Sequence, residues 1–111
     1  MRQINVCVNS TTYMSYYMLP RLLKRKARSA IINISSSTHY NPGGMIPVYS
    51  AVKSYNYSLS MAMLDAYGKT DKIDVMTVNP DATKSQMNSG RYLWAISAER
   101  HAAATINHLG W

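Results

Sequence analysis

The sequence predicts an α/β fold built on parallel strands. Two short runs rich in β-branched residues, Ala30-Ile-Ile-Asn-Ile34 and Ile73 to Val78, bracket a long stretch of helical periodicity. Strand, helix and strand at this spacing form a right-handed crossover between parallel neighbours. Helical patterns also precede the first run and follow the second, giving the order helix–strand–helix–strand–loop–helix. There is no internal repeat and no linker, so the 111 residues make one domain at most.

The first element, residues 4 to about 26, reads as a helix with Val6, Tyr13, Met14, Tyr17 and Met18 recurring at helical spacing. Pro20 is expected to kink it or to begin a new turn. The apolar run from Ala30 to Ile34 has the character of a strand buried on both faces. Residues 35 to 46 are rich in Ser, Asn, Pro and Gly and read as a loop. Pro47 opens the second helix, where a missing N–H is harmless. Its apolar stripe is Val48, Val52, Tyr55, Leu59, Met63 and Ala66, and a separate, more polar stripe carries Tyr49, Lys53, Asn56 and Ser60. Gly68 is a C-terminal stop. The second strand ends at Asn79-Pro80. Ser97 fits an N-cap with Glu99 in the first turn, for a helix from about Ala98 to His108 that ends at Gly110.

Composition narrows the function classes. No stretch approaches the ~20 apolar residues of a membrane span, and Met1-Arg-Gln-Ile lacks a signal pattern. The single Cys7 permits no internal disulfide and suits a reducing, intracellular setting. The net charge of +7 is concentrated in Arg21-Leu-Leu-Lys-Arg-Lys-Ala-Arg28. That cluster reads as the solvated end of a helix, where cations complement the dipole. It lacks the aromatic interleaving of a nucleic-acid binder, so a basic RNA- or membrane-surface module rests on those eight residues alone. His39, His101 and His108 have no spacing that suggests a metal site. No Gly-x-Ser-x-Gly turn supports a hydrolase.

The chemistry lies in Tyr49, Lys53 and Ser36. On a helix, positions four apart share a face, so the ammonium of Lys53 can lie beside the phenol of Tyr49. A fixed cation favours the phenolate and draws a value of ~10 towards working pH. Ser36, at the end of a strand, can hold a substrate oxygen. Nine tyrosines and six lysines make the pair alone a common coincidence, so its context decides.

That context, Ile32-Asn-Ile-Ser-Ser36, a Pro/Gly-rich loop, Tyr49-Ser-Ala-Val-Lys53 and Val78-Asn-Pro-Asp81, resembles the short-chain dehydrogenase/reductase family. Ile4-Asn-Val-Cys-Val8 and Leu19-Pro20 are similar to its branch for steroids and very-long-chain 3-oxoacyl substrates. The resemblance implies a partial Rossmann-like, doubly wound parallel sheet. In it, residues 1–111 are a middle-to-C-terminal fragment and the N-terminal dinucleotide-binding half is missing. No G-x-G-x-x-G or related turn occurs here. By the same resemblance Tyr49 is the general acid/base, Lys53 tunes it and binds the nicotinamide ribose, and Ser36 orients the carbonyl, with Ser35 and Ser37 as decoys. Pro80 and Ser85 match a segment contacting the nicotinamide and its phosphates, of NADP(H) or NAD(H) in a complete domain. Two positions depart from the family. Asp81 replaces a glycine, and Cys7 stands where an asparagine serves a water-linked proton relay. The implied function is an NAD(P)H-dependent oxidoreductase, inactive as this fragment, acting on a steroid or lipid carbonyl with localisation at the endoplasmic reticulum. The alternative is a non-catalytic interaction protein that forms homo- or hetero-dimers through the two long helices, aided by the small residues Ser50, Ala51, Ser54 and Ser58.

Overall fold

The computed structural model describes residues 2–70, 72–88 and 93–109. The chain opens with a π-helical segment, Ile4–Asn9, that runs into helix α1, Ser10–Leu23. Strand β1, Ser29–Ile34, leads through a 3-10 turn at Ser37–His39 to the long helix α2, Pro47–Tyr67. Strand β2 spans Ile73–Val78. Two-residue strands β3, Thr83–Lys84, and β4, Ile96–Ser97, flank a 3-10 turn at Gln86–Asn88, and helix α3, Ala98–Asn107, closes the described chain. The expected stop at Gly110 lies outside the described residues.

The fold is α/β. β1 and β2 pair in parallel, with Ser29 opposite Ile73 and Ile34 opposite Val78, as the crossover through α2 requires. A second parallel pair, β3 with β4, was not foreseen, since two residues are too short to leave a pattern. Met63, Ile73 and Val75 form the buried centre, with Leu19, Leu22 and Leu23 of α1, Ile31 of β1, and Leu59 and Tyr67 of α2 packed around it. Arg28 closes a 2.6 Å ion pair with Asp74, so the basic cluster is tied to β2 at its end.

Three expectations about faces change. β1 is buried on one face only. Ser29, Ile31 and Asn33 turn towards the helices, while Ile32 and Ile34 remain 37% and 50% exposed. α1 packs through Leu19, Leu22 and Leu23, and the stripe of Val6 on the π-helical segment with Tyr13, Met14, Tyr17 and Met18 on α1 faces outward. A tyrosine or methionine is amphipathic enough to sit on either side, so spacing alone does not give the direction. On α2 the buried residues are Ser50, Val52, Asn56, Ser60 and Met63, whereas Val48 and Tyr55 of the apolar stripe are exposed. Two members of the polar stripe are therefore core residues: Ser60 bonds to Asn33 and to the Asn56 carbonyl, and Asn56 bonds through Nδ2 to the Ile34 carbonyl.

Gly68 does end α2, but with φ −67° rather than in the left-handed region. Its role is room: a Cβ there would lie 2.6 Å from both the carbonyl oxygen and the Cδ1 of Leu64. Pro20 sits inside α1 and leaves the helix running to Leu23. At α3 the Ser97 side chain accepts from the Arg100 N–H as its N-cap. Glu99, bonded to its own N–H and to Ser97, is held below the usual carboxylate range.

Candidate active site

The polar end of the molecule is the C-terminal end of β1 and β2. Three bonds tie β1 to α2 there. The Ser35 hydroxyl donates to the Lys53 carbonyl at 2.6 Å, and the Lys53 ammonium donates back to the Ile34 carbonyl at 3.0 Å. Asn56 Nδ2 reaches the same Ile34 carbonyl at 3.5 Å. One turn below, Asn33 donates to Ser60 at 2.8 Å, and Ser60 donates to the Asn56 carbonyl at 2.7 Å. The helix thus meets the strand through side chains that fix both distance and angle.

Tyr49 and Lys53 are brought together as an i, i+4 pair, with the ammonium 5.6 Å from the centre of the phenol ring. Lys53 is half-buried, and desolvation lowers its pKa from the ordinary lysine value, partly offset by the nearby Cys7. Ser36 is buried, and its side chain accepts from the Thr38 N–H at 3.3 Å to cap the short 3-10 turn. Lys53 is the link between the two, seated on the carbonyl two residues before Ser36.

Pro80 belongs to the same end, because its carbonyl accepts from the Ser37 N–H at 3.1 Å while Ser35 N donates to Val78 at 2.8 Å. Ser85 lies further out, exposed, with its carbonyl bonded to Asn88 N. The Asp81 carboxylate accepts from the Ser37 hydroxyl at 3.4 Å. Cys7, carried on the π-helical segment, lines a cleft of 340 Å³ together with Lys53, Asn56 and Asn33. An apolar cleft of 420 Å³ lies on the open face of the sheet between Ile32, Ile34, Val78, Pro80 and α3.

Three participants escaped sequence reading. Ser35 is the residue that locks Lys53's backbone. Asn56 was placed on the more polar stripe with no role, and it is 4% exposed. His39 stacks on Tyr57 at 4.0 Å and donates through Nδ1 to the Ser36 carbonyl at 2.7 Å, so it braces the serine loop against α2. For Asn56 a signal existed in its i, i+3 relation to Lys53; for His39 there was none. Among the described residues no cluster of three metal-binding side chains forms, and no helix is long and apolar enough to cross a membrane.

A family model described as short chain dehydrogenase matches residues 1–95. Hydroxysteroid dehydrogenase-like protein 1 from Gallus gallus is 32% identical over 113 aligned residues, covering 96% of this chain and 34% of that protein. Very-long-chain 3-oxoacyl-CoA reductase-A from Danio rerio is 30% identical over 109, again covering 96% and 34%. The chain therefore spans about a third of the length of these curated relatives. No solved structure matches it. With a parallel strand–helix–strand unit and a family model spanning most of its length, the chain belongs to the short chain dehydrogenase family of oxidoreductases.

Proposed function

We propose that these residues form the proton-transfer and substrate-orienting part of an NAD(P)H-dependent oxidoreductase that interconverts a carbonyl and an alcohol. The substrate class is a steroid or a long-chain 3-oxoacyl chain, as the names of the two relatives suggest. The carrying observation is the Lys53 ammonium, anchored on Ile34 and poised over Tyr49, at the carboxyl ends of parallel strands. That end is where open α/β sheets bind their ligands.

In this reading Tyr49 passes its phenolic proton to the substrate oxygen during reduction, and Lys53 supplies the adjacent positive charge. Ser36 accepts from Thr38 N, which leaves its own hydroxyl hydrogen free to donate to that oxygen. Tyr49, Lys53, Pro80 and Ser85 are the residues on offer to the nicotinamide end of the cofactor, which when bound supplies the hydride. Their fit is carried by the half-buried ammonium, which uses one of its three donors on Ile34. Asp81, turned to Ser37, has a partner of its own. The pyrophosphate has no glycine-rich turn in this sequence, so residues 1–111 act within a longer domain that provides it.

The test joins these residues to the upstream part of a family relative, the part that carries its glycine-rich turn. Tyr49→Phe should then lower carbonyl reduction by at least ~10² while NADPH binding, read by its fluorescence, stays nearly intact. The 111-residue chain alone should show no saturable micromolar NADPH binding. Near-full activity in Tyr49→Phe would remove the tyrosine from the mechanism.

A second reading has its own support. Tyr13, Met14, Tyr16 and Tyr17 of α1 and Val48 of α2 are exposed. Thr12 and Tyr55 link the two helices by a 2.6 Å hydrogen bond. An apolar helix pair of this kind suits a dimer with a second family chain. The small residues contribute less than their spacing implied, since Ser50 is buried within the chain and Ser54 bonds to the carbonyls of His39 and Ser50.

A further inference from the structure

We propose that Asn56 is a positioning residue for Lys53, holding the Ile34 carbonyl on which the ammonium rests. The proposal takes Lys53 as the working lysine of the reading above. Asn56 follows Lys53 by three residues, so both side chains leave α2 on one face and converge on one acceptor. A carbonyl oxygen has two lone pairs, and here each has a donor. The strand end just before Ser35-Ser36 is thereby fixed from two directions.

Packing does not explain this residue. Val52 and Met63 on the same buried face are apolar, and a leucine of similar volume would leave no polar atom stranded. The carboxamide instead makes one long bond through Nδ2, and its Oδ1 is buried with no partner. Reversing the amide would set oxygen against oxygen at Ile34, so the bare Oδ1 is fixed in its orientation. Asn56 lines the same cleft as Lys53 and Cys7. The titratable groups that face Lys53 are Cys7 from the π-helical segment and Tyr49 from α2. β1, Ser29–Ile34, carries none. The amide dipole is thus a neutral neighbour whose replacement the lysine's own titration can report.

Trace labelling of the whole chain with acetic anhydride across pH, read by mass spectrometry, gives each lysine a rate and a midpoint. Lys24 and Lys69 are exposed and serve as internal references. Lys53 should label several-fold more slowly than either. Asn56→Asp keeps the shape, gives up the donor to Ile34 and turns its carboxylate to the ammonium instead, so it should raise the Lys53 midpoint by about one unit, the size of effect an opposite charge at close range produces. Asn56→Leu should lower it, because an apolar neighbour disfavours the ammonium. Val52→Ala, on the same buried face, should loosen the helix and leave the midpoint in place. Where Asn56→Leu fails to fold, the aspartate decides. Identical Lys53 midpoints in the parent and Asn56→Asp would overturn the proposal, as would an equal shift in Val52→Ala. A Lys53 in the parent chain that labels like Lys69 would do the same. No turnover enters the measurement, so an active Tyr49→Phe would defeat the catalytic reading and leave this coupling standing.

Discussion

The two ends of the contact between α2 and the β1–β2 sheet are held by different physics. At the amino ends of the strands, Met63 and Tyr67 of α2 meet Ile73 and Val75 across apolar surface, backed by three leucines of α1. At the carboxyl ends, the same helix meets β1 and the residue after it through polar groups, with Ser35, Lys53, Asn56 and Ser60 each in a named hydrogen bond. Apolar burial is non-directional and scales with area, so the first end gives cohesion and tolerates small shifts. Hydrogen bonds weaken steeply with angle and distance, so the second end gives orientation. The difference teaches that one helix can be anchored at its far turns and aimed at its near ones.

The sharpest way to break this comparison is at the apolar end. Ile73 is fully buried, and Ile73→Ala should cost about 2–5 kcal/mol, a large share of a typical total of 5–15 kcal/mol. Urea unfolding followed by circular dichroism measures it. A loss below ~1 kcal/mol would mean that the cohesion lies elsewhere.

At the polar end the expected loss is smaller and of another kind. Ser35→Ala removes the 2.6 Å bond to the Lys53 carbonyl, which keeps its helical partner within α2, at about 0.5–1.5 kcal/mol for one hydrogen bond. The aim of the lysine should suffer more than the stability. Lys53 should label faster against Lys69, whereas Ile73→Ala variants that stay folded should leave that ratio unchanged. If both substitutions change the ratio alike, the division of labour between the two ends is wrong.

The smallest effect is on pH dependence. Burial lowers the Lys53 pKa from 10.5, so the folded state releases this proton before the unfolded state does. Below its folded value the cost of burying the charge is fully present. As pH rises from there towards 10.5 the unfolded chain binds more protons, and stability gains from this group. Lys53→Met should remove that gain. The check is the difference between the two unfolding profiles from neutral to alkaline pH, both taken in a Tyr49→Phe background so that the neighbouring phenol does not enter. A difference that runs the other way would contradict burial as the cause.

The boundaries of the fold were legible because punctuation is local. Pro47, Gly68, Asn79-Pro80 and Ser97 each mark an end that the structure keeps. Faces were less legible. The apolar stripe drawn along α2 is displaced by about one residue from the buried one, because serine and asparagine can be core residues once β1 supplies partners, and those partners lie 20 or more residues away. The same holds for the site. The Tyr49–Lys53 spacing is visible in one helix, but the Ser35 bond to Lys53 and the His39 stack on Tyr57 are formed only when the loop folds back on α2.

The register of the parallel pair carries a consequence for how the chain reaches this state. Ser29 is paired with Ile73, and every later pair keeps the same offset of about 44 residues. Ribosomes add ~5–20 residues per second, so β1 waits about 2–9 s for β2 to be made. During that interval Ile31, Ile32 and Ile34 lack their β2 partner, and long-range pairing of this kind is slow even after synthesis. The helix between the strands is complete before the second strand arrives. α2 is therefore the natural early structure, and the polar latch that joins Lys53 to the end of β1 needs only segments already made when β2 emerges.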